Sequence, residues 1–189
     1  MVQIAGAALP GVFFCFAAMV LLIFVSVSEP TWDRVSFLNV RLPNGTTHYG
    51  AFGYTNHDVG IGYFFPNDRL NSNILHNLTK TLILHPIAAG LSGLAFFFGI
   101  CGVGFNRVGT IFMALLAGLA LLTCLVAWII DMILFGIARQ RNRDEGLWAQ
   151  YGNANWLTLG ALVSLLLAFC TAAVGAFGRY KRKRTDAAY

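Results

Sequence analysis

The sequence predicts an all-α membrane protein, built as an up-down bundle of four transmembrane helices with a small antiparallel sheet in the first loop. Of the 189 residues, 57% are hydrophobic and only 11% are charged, less than half of the roughly 25% that soluble domains carry. The charges are also clustered, so that long uncharged windows alternate with short charged ones, as in spans and loops. The spans are predicted at about residues 4–28, 82–105, 110–137 and 155–177, within a single domain.

The first window carries no charge up to Ser28. It differs from a signal peptide, which has a positive n-region and an apolar core of only about 7–15 residues. The segment Met1-Val2-Gln3 contains neither Lys nor Arg, and the apolar stretch is much longer. Pro10 falls in the first turns of the predicted helix, where a missing N–H is tolerated. The window is therefore predicted to be an uncleaved first span.

The first loop, about residues 29–81, has the pattern of a small sheet. Residues 35–42 alternate in polarity, Asn44-Gly45 is a hairpin signal, and residues 46–54 form a β-prone return run. The run of residues 59–65 is predicted to be a third strand. Because a lone hairpin is marginal in water, the sheet is expected to rest on the outer ends of the spans. The aromatic residues expected to make that contact, or to form an aromatic belt at the membrane interface, are Phe52, Tyr54, Tyr63, Phe64 and Phe65.

The second span lies between Lys80 and Arg107, which are separated by 26 residues without any Asp, Glu, Lys or Arg. At about 1.5 Å per residue this length is sufficient to cross a hydrocarbon core of about 30 Å. His85 and Pro86 open the span and are expected at its outer rim. The small residues that follow, 88–90, are predicted to form a close helix contact. The short turn at residues 106–109 requires antiparallel neighbours on either side.

The third span contains the only acidic residue within an apolar window, Asp131. Ionisable groups in membranes are costly and often functional. Three interpretations stay open: solvation near the interface, pairing with an arginine of the second outer loop (about residues 138–154), or a proton-linked role together with His85. A structural role for both residues is favoured.

The distribution of Lys and Arg predicts that both termini are cytoplasmic. The two outer loops hold seven basic residues and the opposite side six, so the count alone does not decide. The density of basic residues favours cytoplasmic termini, because five of the six lie in the tail (residues 178–189) directly after the last span. The sequons at Asn44 and Asn77 agree with this orientation. The tail residues predicted to meet anionic lipid headgroups, rather than nucleic acid, are Arg179, Lys181, Arg182, Lys183 and Arg184.

No catalytic, cofactor or metal site is predicted. The sequence contains no GxSxG, HExxH or P-loop motif. The four cysteines lie one in each apolar window, where they are expected to be small packing residues, with palmitoylation as the alternative near span ends. The His and Asp residues of the first loop show no metal-ligand spacing; they are His48, His57, Asp58 and His76.

Several phrases together resemble the fungal PalI family, whose members are claudin-like four-span plasma-membrane proteins. The segments 50–54 (GAFGY) and 60–63 (GIGY) resemble the pattern of that family's first loop. Residues 84–90 (LHPIAAG) resemble its second span. Asp131, residues 138–141 (ARQR) and residues 151–159 (YGNANWLTL) resemble the end of its third span and the start of its fourth. The resemblance covers most of the chain.

The resemblance implies an up-down bundle, a small extracellular sheet and cytoplasmic termini. It also implies eisosome-type membrane compartments, cell-wall integrity and assistance to an ambient-pH-sensing receptor. Two features depart from it. The cysteine pair that often follows the Gly-Tyr is replaced by residues 55–58 (TNHD), so a loop disulfide is not expected. The tail ends at Tyr189 without the long extension of the pH-signalling branch, which disfavours that role.

The favoured hypothesis is a non-enzymatic plasma-membrane protein that organises or accompanies a larger membrane protein, or forms a homo-oligomer. The alternative is a small proton-linked transporter or pH-sensor component that uses His85 and Asp131. The residues expected to support structure or interaction are Phe52, Gly53, Tyr54, Gly62, Tyr63, His85, Pro86, Asp131, Arg139 and Trp156.

Overall fold

The computed structural model describes residues 9–32, 34–43, 45–56, 58–65, 73–104 and 107–186. Within the helices, the side chains of residues 73–75, 103–104, 107 and 175–186 are not described. Several predicted features lie outside the described residues, among them the sequon asparagine Asn44, the loop residue His57 and the side chains of the basic tail.

The fold class predicted from the sequence is confirmed. The long helices are α1 (Leu9–Ser26), α3 (Leu84–Gly104), α4 (Arg107–Asp144) and α5 (Ala154–Asp186). A short helix α2 (Asn73–Lys80) and a 3₁₀ turn (Thr81–Ile83) precede α3. Four apolar helical segments are long enough to cross a membrane: Leu9–Ser26, His76–Gly102, Val108–Asp144 and Ala154–Val174. The chain is thus a multi-pass membrane protein.

The four long helices form a ring in which each contacts two neighbours. α1 packs on α3 and α5, and α4 packs on the same two helices from the opposite side. At mid-bundle many of the interior side chains are small, among them Ala18, Ala88, Ala120 and Ala161, and they pack with Leu22 and Leu165. Large apolar side chains point outward instead; Phe97 and Leu115 are each 64% exposed. This inside-out distribution of size suits a lipid environment, in which small residues allow close helix approach.

The predicted close contact of residues 88–90 is partly wrong. Ala88 and Ala89 are buried, but Gly90 is exposed, and a Cβ placed there would have no neighbour within 4 Å. The tightest approach lies at the other end of α3, where a Cβ on Gly102 would come within 2.7 Å of the Thr110 backbone nitrogen. This approach follows from the short α3–α4 connection, which places the helices side by side from their first turns.

A three-stranded antiparallel sheet lies at one end of the bundle. Its strands are β1 (Leu38–Leu42), β2 (Gly45–Tyr49) and β3 (Trp148–Tyr151), in the order β2-β1-β3. β1 and β2 form the predicted hairpin, with Leu38 opposite Tyr49 and Leu42 opposite Gly45. The sheet, the remainder of the first loop and the connection between α4 and α5 are called the cap below.

The prediction of a third strand at residues 59–65 is wrong. That segment is irregular, and Gly62 has a φ of +75°, which breaks the alternation that a strand requires. The third strand comes instead from the α4–α5 connection, where Arg41 of β1 lies opposite Trp148 of β3. α4 continues to Asp144, beyond the predicted span end at residue 137, and so carries the chain up to the edge of β1.

Asparagine side chains join the cap to the start of α5. Asn153, immediately before the helix, accepts the Ser36 backbone N–H at 3.1 Å and donates to the Arg34 carbonyl at 2.7 Å. Asn155 donates to the Phe37 carbonyl at 3.0 Å. The backbone N–H of Gly152 reaches the same carbonyl at 2.8 Å. The segment before β1 is thereby fixed on the bundle.

Candidate functional site

A buried polar pair lies where the cap meets the bundle. His85, in the first turn of α3, places Nε2 at 3.0 Å from Oδ2 of Asp131 on α4. The two side chains are 0% and 1% exposed. The other ring nitrogen of His85, Nδ1, lies 3.0 Å from the Leu82 carbonyl oxygen. The sequence stretches that begin span two and end span three thus meet at one point.

The geometry fixes the number of protons in this pair. A carbonyl oxygen can only accept, so Nδ1 of His85 carries a hydrogen and donates it to Leu82. Nε2 and the Asp131 carboxyl then share a single proton, located either on the imidazolium or on the carboxylic acid. Both arrangements are neutral overall, which is the condition for placing two ionisable groups out of contact with water.

Aromatic rings close the pair off on the side of the cap. The edge of the His85 ring meets Phe37 with 5.4 Å between centroids, and Phe37 stacks on Phe135 at 4.9 Å with 8° between ring planes. Both phenylalanines are fully buried. Phe37 precedes β1, and Phe135 lies one turn after Asp131 on α4. The pair therefore connects the cap, α3 and α4 at their common junction.

The structure excludes two of the three interpretations of Asp131. Solvation at the interface and pairing with an arginine of the second outer loop are both wrong, because Asp131 is buried and bonds to His85. Arg139, the first arginine of that loop, instead lies over the Tyr151 ring at 5.0 Å. Pro86 is half-buried beside His85, and Trp156 is 69% exposed in the first turn of α5. Exposed tryptophans at span ends are typical of the membrane interface.

The aromatic residues of the first loop form the core of the cap. Tyr63 and Phe65 are buried, and their rings contact each other at 5.5 Å. Phe52 and Tyr54 are partly buried against the same cluster. Phe64 is an exception to the prediction, since it is 55% exposed and stacks on His76 of α2. The aromatic run thus alternates between the core and the surface.

The glycines of the same run serve backbone geometry. Gly53 is buried, and a Cβ there would lie 3.1 Å from Pro30. Gly62 has a positive φ, and a Cβ there would clash with the Lys80 side chain. Gly62 is therefore restricted to glycine by its backbone conformation, whereas Gly53 lies in a close but less restrictive contact.

One buried acidic residue was missed by the sequence analysis. Glu29 is 2% exposed, and its Oε1 accepts a hydrogen bond from Thr55 at 3.2 Å. Its backbone packs directly against Gly50. Glu29 follows the first apolar window at once, so its sequence position indicated a solvated span end. Only the return of residues 50–55 over it creates the buried environment.

The loop histidines do not converge. His48 bonds through Nδ1 to Asn39 at 2.6 Å, while His76 stacks on Phe64. Among the described residues, no group of three His, Cys, Asp or Glu side chains is arranged to hold a metal ion. His57 lies outside the described residues.

Alkaline pH is expected to unfold the cap through its buried tyrosines. Burial raises the pKa of Tyr49 and of Tyr63 above the usual 10.0, with smaller contributions from neighbouring Tyr and Asp charges. Because the folded state favours the neutral phenol, this stability is present below pH 10 and is lost as the pH rises beyond it. The thermal midpoint of detergent-solubilised protein should therefore fall above pH 10.

Tyr63→Phe and Tyr49→Phe test this expectation. In each variant the thermal midpoint should fall less steeply above pH 10 than in the wild type. Tyr63→Phe should also lower the free energy of unfolding by about 1 kcal/mol at pH 7. The reason is that the Tyr63 hydroxyl donates a hydrogen bond to the Gly50 carbonyl at 3.1 Å. An alkaline decline unchanged in both variants would show that other groups control it.

Four apolar helices joined at one end by a cap, with a buried and neutral ionisable pair at the junction, define a four-span integral membrane protein. Residues 7–171 match the sequence model of the SUR7/PalI family. The chain therefore belongs to the SUR7/PalI family, as its resemblance predicted. No curated protein sequence matches the chain.

Proposed function

We propose that this protein is a non-enzymatic plasma-membrane protein that accompanies or organises a larger integral membrane protein. Membership of a membrane-protein family supports this proposal. The observation that carries it is an exposed apolar surface on the cap, called the tip and formed by Val59, Ile61 and Phe64. These side chains are 65%, 60% and 55% exposed, respectively.

The tip is held in place from below. Tyr63 and Phe65 are 3% and 2% exposed and alternate with the tip residues along the chain. Thr79 of α2 donates a hydrogen bond to the Tyr63 carbonyl at 3.1 Å, and the Gly60 N–H donates to the Phe52 carbonyl at 2.9 Å. Apolar side chains that are both exposed and fixed are typical of interaction sites, since little conformational entropy is lost on binding.

In the proposed orientation, both termini are cytoplasmic and the cap faces outward. The density of positive charge in the tail supports this orientation, and the tail is proposed to contact anionic lipid headgroups. Asn77 is exposed on α2, as a glycan acceptor must be, whereas Thr79 of its sequon is 1% exposed. The outward cap places the tip where it can meet the outer portion of a partner.

Isolation of the full chain from native membranes in mild detergent tests the proposal. The protein should elute with a larger integral membrane protein at fixed stoichiometry. The double variant Val59→Ser/Ile61→Ser should lose most of that partner because it removes apolar contact area. Val108→Ser is the matched control, since Val108 is 59% exposed at the opposite end of the bundle. A partnerless wild-type protein, or equal loss in the control, would contradict the proposal.

The second candidate function is that of a proton-linked transporter or pH-sensor component. It is favoured by one observation, the buried contact of 3.0 Å between Nε2 of His85 and Oδ2 of Asp131. The burial of the pair and the contact of Phe37 with His85 support the structural role instead. The variant Asp131→Asn distinguishes the two roles. Loss of transport or signalling with normal surface expression would favour the second function, and loss of surface expression the structural role.

A further inference from the structure

An open groove of about 520 Å³ runs along the last turns of α4 beside β3. Its apolar end is formed by Ile133 and Ile137, and its polar end by Arg139, Gln140 and Arg143, with Tyr151 of β3 as one wall. Gly136 keeps the groove open at its middle, where a Cβ would come within 3.2 Å of the Tyr151 hydroxyl. The groove is separate from the tip and from the His85–Asp131 pair.

The two arginines are held in the groove while keeping unused donors. The guanidinium of Arg139 lies over the Tyr151 ring at 5.0 Å, and its Nε is buried with no hydrogen-bond partner among the described residues. Arg143 uses its Nε to donate to the Ala149 carbonyl at 3.2 Å. A guanidinium has five N–H donors, so the others stay available for an anion.

The spacing of the arginines also favours an anion between them. Arg139 and Arg143 are four residues apart on a helix, so their side chains are neighbours and their charges repel. An anion that accepts hydrogen bonds from both removes the repulsion. Asp144, at the end of α4, is the one acidic residue in the lining. The groove therefore has a formal charge of +1.

The position of the arginines along α4 indicates that the groove lies at the depth of lipid headgroups. The sequence of α4 contains no charged residue type from Val108 to Ala138 apart from Asp131, which bonds to His85, and Arg139 is the first cation after it. Ile133 is 50% exposed and Ile137 37% exposed on the lipid-facing side. At about 1.5 Å per residue, Ile133 lies about 9 Å below Arg139 along the helix axis. An acyl chain against the isoleucines would thus be continuous with a headgroup at the arginines.

We propose that the groove binds a phosphate-bearing anionic lipid, with its phosphate between Arg139 and Arg143 and an acyl chain along Ile133 and Ile137. The guanidinium fork matches phosphate oxygens in geometry and charge. The apolar end distinguishes a lipid from free phosphate, which has nothing to place there. This site does not depend on the function proposed for the tip, nor on which side of the membrane the cap occupies.

Native mass spectrometry of the delipidated full chain, titrated with phosphatidylglycerol or phosphatidylcholine, tests the proposal. Phosphatidylglycerol should bind at least about tenfold more tightly, and Arg139→Gln or Arg143→Gln should each weaken it about tenfold, as loss of a charge-assisted hydrogen bond does. Arg141→Gln is the matched control, because it removes the same charge from the same helix outside the groove. Its affinity should stay within about twofold of the wild type.

Four outcomes would overturn the proposal: equal affinity for the two lipids, equal weakening by Arg141→Gln, displacement of the lipid by inorganic phosphate at equal concentration, or variants that keep the lipid but lose a protein partner. The third would indicate a free-phosphate site and the fourth a protein-binding groove. Thermal melting without lipid confirms that each variant is folded. If Arg139→Gln does not fold, the exposed Arg143 decides the test alone through its comparison with Arg141→Gln.

Discussion

Asp131→Ala is expected to destabilise the protein by about 3–5 kcal/mol, because removal of one partner leaves the other ionisable group buried and unpaired. His85 would retain its bond to Leu82 but lose the hydrogen-bond partner at 3.0 Å from Nε2. The His85 side chain is 0% exposed in the intact protein, so bulk water does not provide a replacement partner there. Melting followed by circular dichroism in detergent should show a large fall in the midpoint, and surface expression should fall with it.

Two further variants identify the cause. Asp131→Asn keeps an acceptor oxygen and should be affected less than Asp131→Ala. The double variant His85→Leu/Asp131→Leu removes both polar groups and should recover much of the stability, since an apolar pair of similar size needs no partners. A double variant as unstable as Asp131→Ala would contradict this account. It would show that packing volume at the junction, rather than the unpaired group, sets the loss.

Gly152→Ala is expected to destabilise the cap by about 3 kcal/mol or more, at the upper end of the range for overpacking. A Cβ on Gly152 would overlap the carbonyl of Ser36. That obstacle is backbone, which two hydrogen bonds hold in place: Gly152 N–H to the Phe37 carbonyl and Ala154 N–H to the Ser36 carbonyl. Neither side can move without breaking the connection between the start of α5 and β1.

Gly60→Ala is the control for this prediction. Gly60 lies in the cap, a Cβ there would have no neighbour within 4 Å, and its φ is not positive. The free energy of unfolding of Gly60→Ala should lie within about 0.5 kcal/mol of the wild-type value, as expected for a surface substitution. Gly50→Ala should behave like Gly152→Ala, because its Cβ would overlap the backbone of Glu29. Equal melting of Gly152→Ala and Gly60→Ala would contradict the argument.

The parts of the fold that sequence reasoning predicted are those with local signals. Long apolar windows predicted the four helices, and Asn44-Gly45 predicted the β1–β2 hairpin. The third strand was assigned to residues 59–65 because that run is β-prone, but tertiary contacts decide which segment reaches the free edge of β1. Residues 148–151 are brought to that edge by the length of α4.

The candidate site was predicted in part. His85 and Asp131 stood out as ionisable residues in apolar windows, but their pairing depends on how α3 and α4 align, which no spacing in the sequence fixes. The burial of Glu29 could not be foreseen for a similar reason, since residues 50–55 fold back over it. The groove on α4 was also missed, because its wall, Tyr151, comes from another element.

The central position of β1 also bears on how the protein is made. Its partners come from two different connections, and Arg41 is 107 positions before Trp148 along the chain. During synthesis the hairpin therefore emerges with one edge of β1 unpaired. This edge stays open until the third membrane span, α4, has been made and the connection that contains β3 has followed it. A chain interrupted after its third helix would keep a reactive strand edge.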